Sequence, residues 1–184
     1  MNKMRKHAQR KRSKHTVLPA STKPSKALIE FIDEWREFNS DRENVYILDF
    51  GAGHGRHADA LRGLGYKVYA YDPFNGKQDA DPYTGVSNKL PPKRDKFDLV
   101  FSAYVLNVMT EEDMLEALAE AEDYAEEGGF VLHTVREDSD MKKKVEPGGS
   151  FRGRGGSIQR RVPVDELTNL GYQRMKSKFF VKEF

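Results

Sequence analysis

The 184-residue sequence contains no cysteine. Disulfides, thiolate metal sites and catalysis through a cysteine nucleophile are therefore excluded, and a cytoplasmic setting is the default expectation. Long apolar runs are also missing: none approaches the roughly 18–20 residues needed to span a bilayer. The amino terminus is charged without an apolar stretch behind it, so it does not read as a secretory signal. Tryptophan occurs once, at Trp35, and no internal repeat is visible. Acids are absent from residues 1–29, which carry nine Lys or Arg. Residues 30–141 carry 11 bases against 25 acids, and residues 142–184 carry 11 bases against four acids. A net charge of +2 thus hides an acidic middle between two basic ends, a distribution that bears on partners more than on fold.

What is present is concentrated in Val45–Asp72. Val45-Tyr46-Ile47-Leu48 is a short run of β-formers, suited to a buried parallel strand that Asp49 ends. Gly51, Gly53 and Gly55 follow at alternate positions. A helical stretch with Ala58, Leu61 and Leu64 on one face stops at Gly65, and Lys67–Tyr71 reads as a second strand ending in Asp72. This βαβ unit has a glycine-rich first turn and an acid at the tip of each strand. A glycine turn there lets a ligand approach the backbone, and an acid at the second tip can accept hydrogen bonds from ribose hydroxyls. A nicotinamide dinucleotide calls for G-x-G-x-x-G. Here the order is D-x-G-x-G-x-G, and Asp49 would repel a pyrophosphate while suiting a ligand with an ammonium group. The plain alternative is a structural glycine turn.

Residues 1–22 read as a basic, flexible tail and 23–184 as one domain. A helix from Ser25 carries Leu28, Phe31, Ile32, Trp35 and Phe38 at three- and four-residue spacing. The turn-rich Pro73–Pro92 stretch holds one plausible strand, Tyr83–Ser87. Phe97–Phe101 is a clear strand, continued by Ser102–Val108. Thr110 should cap a helix with Met114, Leu115, Leu118 and Ala121 on its buried face, stopped by Gly128-Gly129. Phe130–Val135 reads as a strand ending at Arg136, Asp138–Gly156 as a mobile loop, Ser157–Val162 as a strand and Pro163–Leu170 as a short helix. Tyr172–Phe184 reads as the last strand. His54 and His57, with Asp59 nearby, are too few for a metal site and read as partly exposed; no metal is expected. His133 reads as buried and hydrogen-bonded.

The Asp49–Asp72 stretch resembles motifs I and II of the class I S-adenosylmethionine (SAM) methyltransferases. More specifically, LDFGAGHGR, GYKVYAYDPF, SAYVLNVMTEEDMLEALAEA, VLHTVRE and GGSIQRRVPVDEL resemble, in order and spacing, the methyltransferases associated with DNA phosphorothioation gene clusters. The resemblance implies a single α/β domain with a Rossmann-like, doubly wound and mostly parallel sheet. It implies SAM as cofactor, contacted by Asp49, Gly51, Ala52, Gly53, Gly55, Asp72, Pro73, Ser102 and Ala103. Tyr104, Asn107 and Arg136 are candidates for catalysis, and these three with Arg152, Arg154 and Gln159 for acceptor binding. The basic tail and the loop 142–161 suggest a nucleic-acid acceptor or a modified nucleotide. Small-molecule methylation, or SAM binding by an accessory protein without transferase activity, are the alternatives. Ser102-Ala103-Tyr104-Val105 stands where amino-methylating DNA enzymes carry D/N-P-P-Y/F, which argues against base methylation of that kind. Without cysteine, methylation of pyrimidine C5 through a covalent adduct is excluded as well.

Overall fold

The computed structural model describes residues 23–39, 45–136, 146–152, 158–175 and 178–184. The elements in chain order are α1 (Lys26–Asn39), β1 (Tyr46–Phe50), α2 (Arg56–Gly63), β2 (Lys67–Tyr71), β3 (Phe97–Ala103), a single 3-10 turn (Leu106–Val108), α3 (Glu111–Glu122), β4 (Ala125–Thr134), β5 (Ser150–Arg152), β6 (Ile158–Arg160), α4 (Val164–Asn169), β7 (Gln173–Arg174) and β8 (Phe179–Glu183). Six strands form one sheet in the order β2-β1-β3-β4-β8-β7. The β2-β1-β3-β4 portion is parallel, and β8 and β7 close the sheet antiparallel.

Both faces of the sheet are covered, so its inner strands read as continuous apolar runs. On one face Leu28 and Ile32 of α1 and Ala58 and Leu61 of α2 pack with Ile47, Val68, Leu99 and Phe101. Trp35 meets Phe130 edge-on at 5.5 Å, which makes it a packing residue of this layer. On the other face Met114, Leu118 and Ala121 of α3 and Leu167 of α4 enclose Leu48, Val100, Val131 and Phe180. This doubly wound arrangement places the carboxyl ends of β1, β3 and β4 side by side, with Asp49 opposite Phe101, and Ala103 opposite Thr134.

Several boundaries differ from the sequence-based expectation. Tyr83–Ser87 forms turns and two isolated bridges, Ser87 pairing with Tyr71 and with Lys77, while Pro82 O and Ser87 serve the outer edge of β2. The strand before Tyr104 stops at Ala103, since Tyr104 takes a positive φ of 64° that no strand continues through. α3 ends at Glu122 rather than at Gly128-Gly129: Tyr124 is buried, with its hydroxyl on Pro91 O, and β4 begins at Ala125. Gly128, at φ 78°, instead lies within β4, near a register shift against β3. Leu64 is 40% exposed beyond the end of α2 rather than on its buried face. The last strand is a short hairpin, β7–β8. The expected strand 157–162 shortens to Ile158–Arg160, and it pairs with β5 in a separate two-stranded sheet. The basic tail 1–22, residues 137–145 and residues 153–157, Arg154 among them, lie outside the described residues.

Candidate active site

The glycine turn is fastened to the end of β2. Gly51 and Ala52 both donate to Tyr71 O at 2.8 Å, and Gly53 donates to Asp72 Oδ2 at 2.9 Å. All three glycines have positive φ, from 61° to 85°. They do different work. A Cβ on Gly51 would stand 2.5 Å from the Val105 side chain, and one on Gly55 would stand 2.8 Å from Val86. At Gly53 it would meet nothing within 4 Å. The turn is thus closed at Gly51 against the segment that follows β3 and open at Gly53, as a cradle for a ligand requires. A Gly51→Ala substitution should therefore lower the melting temperature through both the clash and the left-handed backbone. Gly53→Ala should cost only the roughly 1–2 kcal/mol of backbone strain while weakening the binding of any ligand that seats on the open side. Thermal melts and calorimetry on both variants check the split.

Asp49 is 1% exposed, and neither carboxylate oxygen has a hydrogen-bond partner among the described residues. Burial pushes its pKa up to about 8, with the Asp72 carboxylate adding to the rise; Arg62 and Arg56 pull the other way, as does the Ala58 amide, without completing a hydrogen bond. An isolated buried carboxylate is unfavourable unless a cation meets it. Asp72 is the opposite case. Besides Gly53 it accepts from Phe74 N at 2.9 Å, Asn75 N at 2.7 Å and Asn75 Nδ2 at 3.2 Å. It shapes the turn after β2, where Pro73 is half-buried.

At the ends of β3 and β4 the candidate residues divide. The Ser102 hydroxyl is turned into the core, 2.7 Å from His133 Nδ1. His133 Nε2 lies 3.2 Å from the Tyr172 hydroxyl, which donates to Glu122 Oε1 at 2.9 Å. Burial lowers the His133 pKa to about 3 and holds it neutral. Ser102 can meet a ligand only through its backbone. Ala103 is half-buried beside it.

Asn107 is fully buried. Its Nδ2 donates to Arg160 O at 2.9 Å and its Oδ1 accepts from Arg136 N at 2.8 Å, so its amide ties β6 to the end of β4. Tyr104, Arg136 and Gln159 converge: the Arg136 guanidinium lies 5.7 Å over the Tyr104 ring, and its Nη1 donates to Gln159 Oε1 at 2.8 Å. Arg152 lies in β5 opposite Ile158.

His57 is buried rather than partly exposed, edge-on to Phe101 at 6.3 Å, and burial with the Arg56 charge lowers its pKa to about 4. His54 is exposed. No group of three metal-ligating side chains occurs among the described residues, nor any helix long and apolar enough to cross a membrane. Two arginines had no marker in the sequence. Arg62 donates to Val68 O, Pro82 O and Gly85 O and so holds the turn beside the cradle. Arg160, 3% exposed, forms a two-pronged pair with Glu166 at 2.7 and 2.8 Å.

The chain matches the methyltransferase-domain family over residues 20–173 and belongs to that family. Among solved structures it is similar to the 1,6-didemethyltoxoflavin-N1-methyltransferase of Burkholderia thailandensis, determined with its acceptor and S-adenosylhomocysteine (TM-score 0.58, 16% identity, 96% of this chain and 77% of that one). It is also similar to the magnesium protoporphyrin IX methyltransferase of Synechocystis with bound SAM (TM-score 0.53, 14% identity, 85% and 77%). A third likeness is to the glycopeptide N-methyltransferase MtfA (TM-score 0.54, 13% identity, 85% and 88%). No curated protein sequence matches the chain. The protein is a SAM-dependent methyltransferase with a single, mostly parallel α/β fold. The residues present suit that cofactor: a carboxylate, buried and without a partner among the described residues, stands at the end of β1, close to a glycine turn that is open at Gly53.

Proposed function

We propose that Asp49 receives the ammonium of SAM, that Gly51, Ala52, Gly53 and Gly55 form the floor of its site, and that Asp72 holds the ribose side through the turn it organises. Pro73 and the backbone of Ser102 and Ala103 complete the wall. The observation that carries this reading is the Asp49 carboxylate, buried and without a hydrogen-bond partner among the described residues. Bound SAM supplies a sulfonium carbon that a good nucleophile attacks directly, so the protein's task is alignment and a general base is optional. Tyr104, Arg136 and Gln159 form the acceptor side, and Asn107 acts as a positioning residue that joins the strands carrying them.

The acceptor is read as a small molecule or nucleotide-sized group, because this cluster adjoins Val105, whose side chain packs on the glycine turn. Of the similar structures, one methylates 1,6-didemethyltoxoflavin, one a glycopeptide and one magnesium protoporphyrin IX. A second reading, nucleic acid, is favoured by the nine bases without an acid in residues 1–29 and by six bases against one acid in 142–161 once Arg160, buried against Glu166, is set aside. A basic tail 1–22 appended to a domain 23–184 would support it, as would membership among the methyltransferases of phosphorothioation clusters. Arg152 and Arg154 would then meet phosphates. Methyl-label transfer from SAM into DNA, RNA and a small-molecule extract separates the readings. Label in nucleic acid, lost steeply with added salt and less steeply after deletion of residues 1–15, would decide for the second. Label only in the small-molecule fraction decides for the first, and label in none overturns both.

A further inference from the structure

Arg136 has features that a packing role does not require. Its backbone is fixed by Asn107 Oδ1, and its guanidinium rests on the Tyr104 ring. The side-chain hydrogen bond it makes among the described residues goes to a neutral amide oxygen, Gln159 Oε1, and no carboxylate there pairs with it. Arg160, one residue beyond Gln159, has its carboxylate partner in Glu166. Arg136 is half-buried, so its positive charge is partly withdrawn from water without a counter-ion from those residues. The platform beneath it is itself held in a costly geometry. Tyr104 has φ 64°, in the left-handed region that bulky residues avoid, and its N–H is fixed to Thr134 O at 2.8 Å. Strain of that kind persists where surrounding structure enforces it, commonly at binding sites. Val105, the next residue, is the one that packs on Gly51, so the platform adjoins the cofactor turn.

We propose that Arg136, stacked on Tyr104 and steered by Gln159, is an anion-recognition site that binds a carboxylate or phosphate on the methyl acceptor. A guanidinium presents five N–H donors in a planar fork, and with one of them on Gln159 the fork keeps donors for two acceptor oxygens. The aromatic face fixes the plane of the fork, which sets the orientation of the anion and hence of the nucleophile attached to it. The site excludes acceptors that are neutral at this end, because they would leave the cation without a partner. This inference rests on the SAM-site reading above.

The test uses the full chain saturated with S-adenosylhomocysteine, whose binding is measured first by calorimetry. Benzoate, its neutral counterpart benzamide and inorganic phosphate are then titrated while the Arg136 Nε–Hε resonance is followed by NMR. Saturable shifts with benzoate or phosphate, and none with benzamide, are expected. In Arg136→Gln the anion affinity should fall about tenfold to a hundredfold, the loss of one charge-assisted contact. S-adenosylhomocysteine affinity and melting temperature should stay near those of the parent. Arg136→Lys should recover part of the anion affinity but lose the preference for planar carboxylate. Equal response to benzoate and benzamide, no saturable response to either anion, or anion affinity unchanged in Arg136→Gln would each overturn the proposal. If S-adenosylhomocysteine itself does not bind, it is the SAM-site reading that fails.

Discussion

Asp49→Asn is expected to make the unliganded protein more stable and to abolish most of its affinity for SAM. Asparagine keeps the shape but removes a carboxylate that is buried and lacks a hydrogen-bond partner among the described residues. The sign follows from linkage. The folded pKa of Asp49 is about 8 against 3.8 for an ordinary aspartate, so between those values the folded protein holds a proton that the unfolded chain has released. The contribution of Asp49 to stability is therefore most favourable below pH 3.8. It is lost at up to about 1.4 kcal/mol per pH unit as pH rises toward about 8, then levels off. At neutral pH the Asn variant should melt higher by several degrees, and its advantage should shrink on acidification. Binding moves the opposite way. An ammonium can pair only with the ionised acid, so the parent must release a proton on binding below pH 8. Its affinity should rise with pH up to that point, then fall as the ligand amine, with a pKa of about 8, loses its own proton. Calorimetry of S-adenosylhomocysteine in buffers of different ionisation enthalpy reads the proton directly. The variant should bind about 30-fold to several thousand-fold more weakly, corresponding to about 2–5 kcal/mol for a truncated buried charge pair. Unchanged affinity, or binding without proton release at pH 7, would remove Asp49 from the cofactor site.

How much of this was legible in the sequence depends on how local each determinant is. The βαβ unit was legible because β-formers, alternate glycines and terminal acids are all encoded within Val45–Asp72. Asp49 and Asp72 were recognisable as a pair of tip acids. Their division of labour was not, because it depends on which backbone amides the turn of 73–75 brings to Asp72 and leaves away from Asp49. The resemblance put Arg136 and Gln159 on one acceptor side, but residue spacing alone does not show their contact, since residues 137–158 lie between them and β6 must return to the end of β4. The end of α3 was misread because Gly128-Gly129 is a stronger helix stop than Asp123-Tyr124 on local grounds. The burial of Tyr124 against Pro91 is a tertiary effect that local grounds omit. Asn107 was a candidate for catalysis and acceptor binding, yet both ends of its amide are engaged by backbone from two distant segments.

The last determinant, Arg160, gives the largest stability effect we expect. Its guanidinium is nearly fully buried and is held by Glu166 through two short hydrogen bonds, with Met114 Sδ at 3.3 Å and Glu111 3.7 Å away. Its carbonyl accepts the Asn107 amide. One residue thus ties α4, α3 and the 3-10 turn to β6, which also carries Gln159. Glu166→Ala leaves the cation buried with only the more distant and exposed Glu111 for charge, and should cost about 3–5 kcal/mol. Replacing both partners is a different experiment. In Arg160→Met/Glu166→Leu no charge is left behind, and an apolar pair of similar volume commonly restores or exceeds the parent stability. Denaturant melts of the single and double variants should show this inversion, with the double variant more stable than Glu166→Ala. Function should divide along the same line. S-adenosylhomocysteine binding should survive in Glu166→Ala under native conditions, because the cradle is fastened to β2 and not to β6. Methyl transfer should fall, because Gln159 no longer holds the Arg136 guanidinium on Tyr104. A Glu166→Ala penalty below about 1 kcal/mol, the range of exposed ion pairs, would mean that the buried arginine is not what keeps β6 in place.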